Sequence, residues 1–151
     1  MVKPTQEQVI ATSKINKGLM TSNTDQWATP QDFFDACEKQ YGKFDIDVCA
    51  DASNAKCAKY FDRQMDGLAQ TWTGKCWMNP PYGREIGKWM KKAKESAGNG
   101  TIVVCLVPAR TDTAWWHDYA QYGIVTFIRG RLKFGNSKNS APFPSALVVF
   151  R

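Results

Sequence analysis

The chain has 151 residues, 43% of them hydrophobic and 13% aromatic, so it can bury one hydrophobic core but has little left for a separate recognition domain. No apolar run approaches the length that crosses a bilayer and no apolar leader is evident, so a soluble, cytoplasmic protein is expected. Five scattered cysteines without a Cys-x-x-Cys pair, and a single histidine, argue against a disulfide framework and a metal site.

The net charge of +6 is concentrated in the second half of the chain. Residues 1–83 hold nine Lys/Arg and ten Asp/Glu, whereas residues 84–151 hold eleven and four. Such a basic segment suits a polyanion, although a solvated surface carries similar charges. The cations that would neutralise phosphates include Lys88, Lys91, Lys92, Arg129, Arg131, Lys133 and Lys138.

The first 25 residues are polar, and we expect them to form an N-terminal arm outside a single domain at residues 26–151. Thr29 is a good N-cap and Pro30 a good first helical residue. The first helix is therefore predicted to begin there and to end near Tyr41.

Strands and helices alternate along the rest of the chain. Residues 101–107 are apolar and largely β-branched, which is typical of a strand buried on both faces of a sheet. The alternation predicts an α/β fold with a mostly parallel sheet and a C-terminal antiparallel hairpin, in which ligands bind at the carboxyl ends of central strands. The predicted elements are strands at 44–51, 75–79, 101–107 and 124–129, helices at 85–97 and from 111, and a hairpin between 132–134 and 146–150.

The sequence Asn79-Pro80-Pro81-Tyr82 closes the second predicted strand. Neither proline has a backbone N–H, so the Asn79 side-chain oxygen and the Pro80 carbonyl oxygen are two acceptors that can face one amino group. The lone pair of an amine such as adenine N6 is delocalised into the ring, so this nitrogen attacks poorly. Hydrogen bonds from the amine to two fixed oxygens draw its protons out of the ring plane. Tyr82 offers a flat face on which the base can stack. A plain strand-ending turn has the same residue types.

Carboxylates near the first predicted strand indicate where a methyl donor would bind. Asp47 and Asp51 suit the cationic amino-acid part or the ribose hydroxyls of S-adenosylmethionine, and Asp66 suits the adenine amine of the same cofactor. Each of them is also typical of a cap, and Asp66-Gly67 is a good turn pair. No Gly-x-Gly-x-x-Gly loop follows the strand, which disfavours a dinucleotide but not S-adenosylmethionine, since that cofactor has no phosphate.

The order and spacing of seven segments are more specific than the tetrapeptide alone. They are residues 27–30, 44–51, 66–72, 79–83, 106–113, 130–134 and 143–145. Together they resemble phage-encoded DNA N-6-adenine methyltransferases of the Dam type, from about Trp27 to the C-terminus. The resemblance implies a Rossmann-like methyltransferase fold, S-adenosylmethionine as donor and an adenine of duplex DNA as acceptor. Larger DNA adenine methyltransferases have a glycine-rich loop and a recognition domain that are missing here.

The resemblance and the charge pattern together assign roles to individual residues. We expect catalysis from Asn79, Pro80, Pro81 and Tyr82. Cofactor-binding residues are expected to be Trp27, Thr29, Pro30, Asp47, Cys49, Ala50, Asp51, Asp66 and Asn79. Substrate contacts are predicted from Tyr82, Arg110, Arg131, Lys133, Lys138 and Phe143, with Phe134 as a second aromatic that would otherwise pack in the core.

The expected reaction is flipping of the adenine followed by direct methyl transfer. A covalent cysteine intermediate is disfavoured, because Cys49, Cys76 and Cys105 lie in apolar strand contexts. Duplex DNA is the expected partner, and the protein is expected to be a monomer or a weak homodimer. Open alternatives are a methyltransferase acting on RNA or on a protein glutamine amide, a nucleic-acid-binding module without activity, and a degenerate methyltransferase that serves as an interaction factor.

Overall fold

The computed structural model describes residues 27–135 and 137–151, and the predicted arm at residues 1–25 lies outside them. Its centre is a mixed sheet of five strands in the order β1-β2-β3-β5-β4. The strands β1, β2 and β3 are parallel neighbours, whereas β5 is antiparallel to both β3 and β4. The bounds are Ile46–Asp47 for β1, Lys75–Met78 for β2, Ile102–Pro108 for β3, Ile124–Phe127 for β4 and Ser145–Phe150 for β5.

The described residues form three α-helices. The first, α1 (Gln31–Tyr41), precedes β1, whereas α2 (Ile86–Ser96) connects β2 to β3 and α3 (Ala114–Asp118) lies between β3 and β4. The α3 helix begins after Thr113, whose hydroxyl accepts the backbone N–H of Trp116 at 3.3 Å. The predicted cap of the first helix is wrong. Pro30 occupies the N-cap of α1 and no side chain caps it, because the hydroxyl of Thr29 is engaged elsewhere.

The core lies on both faces of the central strands. In β3 every residue from Val103 to Pro108 is buried, and all six residues of β5 are buried as well. This confirms the interpretation of the continuous apolar run as an interior strand. Trp77 of β2 is fully buried and packs edge-on against Phe34, with 5.1 Å between the ring centroids.

The C-terminal antiparallel excursion is present, but its predicted strand at residues 132–134 is wrong. Those residues form no strand, and β5 pairs instead with β4 and β3. Around them, Gly135 N–H donates to the Ala28 carbonyl at 2.8 Å and Ala141 N–H donates to the Leu132 carbonyl at 2.8 Å.

The predicted first strand shortens to the two residues of β1, because the chain after it turns back on itself. Asp47 N–H donates to the Lys59 carbonyl at 3.1 Å, and Phe61 N–H donates to the Asp47 carbonyl at 3.0 Å. The loop at residues 48–61 is thereby fastened beside β1. Because β1, β2 and β3 run in parallel, their carboxyl ends meet at one edge of the sheet, next to this loop.

In the part of the chain that the structure describes, none of the helices is both long and apolar enough to cross a bilayer.

Candidate active site

The amide of Asn79, directly after β2, is held in one orientation. Its Nδ2 donates to the Trp27 carbonyl and to the Thr29 hydroxyl, the latter at 2.9 Å. Because a backbone carbonyl only accepts, the NH2 group must face Trp27 and the side-chain oxygen must point away. That Oδ1 atom is buried and has no hydrogen-bond partner among the described residues. The segment before α1 therefore leaves a fixed acceptor at the end of the strand.

Asn79, Pro80 and Pro81 form part of the wall of a cavity of about 410 Å³, which we call the acidic cavity. Its size is that of a small-molecule site. Four carboxylates and two cations line it. The lining residues are Trp27, Ala28, Thr29, Asp47, Cys49, Ala50, Asp51, Asn54, Lys56, Phe61, Asp62, Arg63, Asp66, Gly67, Trp77, Asn79, Pro80, Pro81 and Trp89.

Asp47, the last residue of β1, is 3% exposed. Its two carboxylate oxygens accept backbone N–H groups from Cys49 at 3.3 Å and from Lys56 at 3.0 Å. Burial raises the pKa of Asp47 to about 6, and these two hydrogen bonds oppose the shift. The carboxylate thus ties down the loop at residues 48–61 and contributes to the cavity wall.

Asp51 and Asp66 both line the acidic cavity and both cap turns. Asp51 accepts the backbone N–H of Ser53 at 2.8 Å and its hydroxyl at 2.6 Å, and these bonds lower the pKa of Asp51. Asp66 has a positive φ of 56° and accepts the N–H of Leu68 at 3.2 Å. The prediction that both residues cap turns is therefore confirmed. The same hydrogen bonds hold their carboxylates in place in residues that line the cavity.

A second buried polar atom without a partner in the described chain belongs to a residue that lines the acidic cavity. Trp77 is fully buried, and its Nε1 lacks an acceptor among residues 27–135 and 137–151. Trp77 and Asn79 stand two positions apart, so an extended chain directs them to the same side. Buried polar atoms in proteins normally have a partner, so each of these two atoms needs one that residues 27–135 and 137–151 do not supply.

Tyr82 lies on the other side of the Pro-Pro step. It is 5% exposed, and its hydroxyl donates to the Leu106 carbonyl at 3.0 Å. Its ring belongs to an aromatic cluster made of Trp27, Tyr82, Phe134 and Phe143, with centroid distances of 5.1 to 6.1 Å. The cluster joins the segment before α1 to the segment before β5. Stacking of a base on Tyr82 stays a prediction, and in this arrangement the ring packs against phenylalanine edges.

Tyr82 also lines a second cavity of about 520 Å³, which we call the basic groove. Four cations and one carboxylate lie along it, in contrast to the acidic cavity. The groove is lined by Tyr82, Gly83, Arg84, Ile86, Gly87, Lys88, Lys91, Pro108, Arg110, Thr113, Ala114, Trp115, Asp118 and Tyr119.

With this geometry in view, the comparisons with known proteins are decisive. A family model described as DNA N-6-adenine-methyltransferase (Dam) matches residues 16–149. The chain belongs to this family.

Three relatives of this Dam-family chain differ in how much of it they cover. A DNA N-6-adenine-methyltransferase of Escherichia phage T1 is 30% identical, and the match covers 79% of this chain and 61% of the relative. The protein of the same name from Haemophilus phage HP1 (strain HP1c1) is 30% identical, and the match covers 85% of this chain and 80% of the relative. The putative methyltransferase YfdM of Escherichia coli (strain K12) is 37% identical, and the match covers 38% of this chain and 71% of the relative. The chain thus spans about three fifths of the length of the T1 relative.

The sequence of this Dam-family chain predicted nine cofactor-binding residues. Eight of them line the acidic cavity. Pro30 is the exception, because it forms the N-cap of α1. Among the predicted substrate residues, Tyr82 and Arg110 line the basic groove, and Phe143 lies in the aromatic cluster. Neither cavity is lined by Arg131, Lys133 or Lys138.

Several residues of this Dam-family chain line the acidic cavity but were not predicted from the sequence. Trp77 could have been found from its spacing of two residues before Asn79 on one strand. Lys56, Asp62 and Arg63 carry no such signal, because they enter the wall through the irregular loop that returns beside β1.

The cysteines of this Dam-family chain are poor nucleophiles. Burial raises the pKa of the Cys49 thiol to about 12, that of Cys76 to about 11, and that of Cys105 well above its usual value. Thiolates are therefore scarce at neutral pH, including at Cys49 in the cavity wall.

Proposed function

We propose that this chain methylates N6 of adenine in duplex DNA with S-adenosylmethionine as donor. The family membership and the names of its phage relatives support methylation of DNA adenine. The single observation that carries the mechanism is the buried Oδ1 of Asn79, a residue that lines the acidic cavity. This atom has no hydrogen-bond partner among residues 27–135 and 137–151, and its amide is oriented by the bonds from Nδ2 to the Trp27 carbonyl and the Thr29 hydroxyl.

The acidic cavity fits S-adenosylmethionine in size and in charge. A volume of about 410 Å³ suits a ligand of this class. Its sulfonium and ammonium groups favour the surrounding carboxylates, of which Asp47 is the most buried. Lys56 and Arg63 offer partners for its carboxylate, and the Trp27, Phe61 and Trp89 rings offer faces for its adenine and its cation. We therefore assign the donor to this cavity. We also propose that the sheet has a reduced Rossmann-like methyltransferase topology.

When bound, the donor would supply an electrophilic methyl group on a sulfonium sulfur. The chain's own residues position the acceptor. Asn79 Oδ1 and the Pro80 carbonyl would accept the two N–H groups of adenine N6, which frees its lone pair for attack. Holding both reactants in place contributes most of the rate enhancement. No side chain needs to titrate, because the amine loses its proton after the bond to carbon forms.

The target adenine must leave the DNA stack to reach a buried acceptor, so we propose base flipping. Tyr82 would stack the flipped base, with Phe143 beside it. Contacts from Arg110, Arg131, Lys133 and Lys138 to the DNA remain predictions. We also propose that residues 26–151 act as one unit in the host cytoplasm, as a monomer or a weak homodimer.

The decisive experiment is expression in a host that lacks adenine methylation, followed by methylation-sensitive sequencing of its DNA. The wild-type chain should leave N6-methyladenine at a defined set of sites, and Asn79→Ala should abolish the signal. Gln40→Ala, which removes an exposed amide of α1, is the matched control and should methylate normally.

Parallel transfer assays with labelled donor on duplex DNA, RNA and protein separate the substrates. Labelling of RNA or protein in preference to DNA would overturn the proposed substrate. Binding of DNA without any binding of donor in calorimetry would instead show a module without activity.

A further inference from the structure

The segment from Asn79 to Arg84 separates two cavities of opposite charge. On one side Asn79, Pro80 and Pro81 line the acidic cavity, and on the other side Tyr82 and Arg84 line the basic groove. Resting on the proposed function, we infer that the basic groove binds the phosphodiester backbone of the target strand beside the flipped adenine, through Arg84, Lys88, Lys91 and Arg110.

Three of these cations come from one stretch of chain, helix α2 and the residues just before it. Arg84 precedes α2, and Lys88 and Lys91 follow at helical spacing, so Lys88 and Lys91 lie on one face of that helix. All three residues are exposed. A row of cations along a groove matches the charge of a nucleic-acid backbone, which presents a phosphate at each nucleotide.

The two lysines have ion-pair partners that would release them readily. Lys88 contacts Glu85 at 3.2 Å and Lys91 contacts Glu95 at 2.9 Å, and all four side chains are at least 52% exposed. Exposed ion pairs of this kind add little to stability, because water and salt screen the two charges. A phosphate that enters the groove therefore displaces little.

Arg110, which follows β3, adds a fourth cation to the lining of the groove. The residue is exposed, and its guanidinium lies over the Phe143 ring at 5.7 Å from the centroid. A guanidinium carries five N–H donors in a planar fork that matches the geometry of a phosphate. Asp118 is the single carboxylate in the lining.

The position of the groove suits a phosphate next to the target base. Tyr82 is three residues after Asn79, and three residues of chain span at most about 10 Å. The groove thus begins within a short reach of the acceptor that would hold adenine N6. A backbone bound there would be adjacent to the nucleotide that leaves the stack.

The cations of the C-terminal segment are placed differently. Arg131, Lys133 and Lys138 are exposed but line neither cavity, and Arg131 Nη1 donates to the Ala141 carbonyl at 3.4 Å. The geometry therefore assigns the phosphate contacts nearest the target to the groove rather than to this segment.

Two variants with equal loss of charge test the assignment. The groove variant carries Arg84→Ala, Lys88→Ala and Lys91→Ala, and the loop variant carries Arg131→Ala, Lys133→Ala and Lys138→Ala. Fluorescence anisotropy gives the affinity for a methylatable duplex oligonucleotide between 50 and 300 mM salt. Each lost phosphate contact reduces the steepness of the plot of log association constant against log salt concentration by about 0.9. The groove variant should therefore lose about 2.7 of this slope. Its affinity for the duplex at low salt should be about 10- to 100-fold weaker than that of the wild type.

The loop variant should lose less slope than the groove variant, because its three cations line neither cavity. The inference would be overturned if the two variants lost equal slope, or if the loop variant lost more. It would also be overturned if the slope of the groove variant fell on duplex RNA but not on DNA. The Arg84→Gln single variant, expected to lose about 0.9 of slope, repeats the test if the triple variant unfolds.

Donor binding and methylation separate this inference from the proposed function. The groove variant should bind S-adenosylmethionine in calorimetry as the wild type does, and it should show a raised KM for DNA with a similar kcat at saturation. If wild-type protein methylates no duplex, the proposed function fails. If it methylates DNA while the groove variant binds DNA normally, only the present inference fails.

Discussion

The acidic cavity and the basic groove share one wall but are built in different ways. In the acidic cavity the carboxylates of Asp47, Asp51 and Asp66 each accept backbone N–H groups, so the fold itself fixes them. In the basic groove Lys88 and Lys91 extend from one face of a helix, and their side chains form exposed ion pairs with glutamates.

This difference matches two kinds of ligand. A small cationic cofactor gains affinity from groups that are already ordered before it binds. A polyanion gains affinity from several mobile cations, each of which exchanges one weak contact for a phosphate and releases a counterion. The comparison predicts that changes in the acidic cavity act on donor binding and folding, whereas changes in the groove act on DNA affinity and its salt dependence.

Two glycines, one in each cavity wall, give the sharpest contrast. A Cβ at Gly67 would overlap the Val48 carbonyl oxygen and approach the Trp89 ring at 3.0 Å, and the Gly67 carbonyl accepts Trp72 Nε1 at 2.8 Å. We expect Gly67→Ala to destabilise the fold by about 1–3 kcal/mol. It should also weaken donor binding more than tenfold. Denaturant unfolding and calorimetry with S-adenosylmethionine measure the two effects.

The matched variant is Gly87→Ala in α2, at the basic groove. Its nearest neighbour would be Trp115 Cβ at 3.5 Å, an ordinary contact. Since alanine is the better helix former, this variant should be as stable as the wild type or about 0.5–1 kcal/mol more stable. Equal destabilisation by the two substitutions would contradict the close packing inferred at Gly67.

Asp47 provides a pH test that acts on one cavity only. Burial raises its pKa in the folded protein from 3.8 to about 6, so between these values the folded state binds more protons than the unfolded state. Stability contributed by this group is therefore greatest below about pH 4 and falls by about 2–3 kcal/mol as the pH rises to about 6. Asp47→Asn should remove this component from unfolding curves measured at successive pH values, whereas Asp35→Asn, on exposed α1, should retain it.

The same ionisation predicts how the two ligands respond to pH. A charged Asp47 attracts a cationic donor, so donor affinity should weaken as the pH falls through about 6. Lysine and arginine side chains keep their charge in this range, and DNA affinity should change little. Loss of DNA affinity in parallel with donor affinity, in isothermal titrations at pH 5.5 and 7.5, would contradict the separation of the two cavities.

Thr29→Val tests whether the orientation of Asn79 matters for the reaction. Valine has the same shape but no acceptor, so one of the two hydrogen bonds from Asn79 Nδ2 is lost while the bond to the Trp27 carbonyl remains. We expect kcat to fall about tenfold, which corresponds to one hydrogen bond of about 1.4 kcal/mol. Thr29→Ser keeps the hydroxyl and should retain most of the activity. Equal loss in both variants would assign the effect to packing instead.

The parts of this molecule that could be predicted from sequence are those in which local pattern and burial agree. The continuous apolar residues of β3 specify an interior strand, and the Pro-Pro step fixes Asn79 at a strand end because prolines cannot continue the ladder. The carboxyl ends of parallel strands then bring Asp47 and Asn79 to one edge without further information.

The parts that could not be predicted depend on distant contacts. Residues 132–134 alternate as a strand would, but the exposed edge of β5 is taken by β4, and Phe134 finds its partners in Trp27, Tyr82 and Phe143. Thr29 has the residue type of a helix cap, yet its hydroxyl bonds to an amide 50 residues away. The basic groove needs the segment after β2, helix α2, the end of β3 and helix α3 together, so no single segment reveals it.

The smallest expected effect concerns Tyr82, where the wall changes from one cavity to the other. Tyr82→Phe removes the bond from the hydroxyl to the Leu106 carbonyl, 3.0 Å long, and keeps the ring among Phe134 and Phe143. Burial raises the pKa of the Tyr82 phenol well above its usual range, so the group stays protonated and donates throughout the working pH range.

We expect the Phe variant to lose about 1 kcal/mol of stability, the usual value of one hydrogen bond, with kcat within about twofold of the wild type. Tyr82→Leu, which also removes the ring, should lower kcat and the affinity for DNA further if the ring stacks the target. Denaturant unfolding and steady-state methylation of a duplex separate the two contributions. If the Phe and Leu variants were equally active, the ring would serve only to pack the aromatic cluster, and the flipped base would have to be held by Asn79 and the Pro80 carbonyl without stacking on this residue.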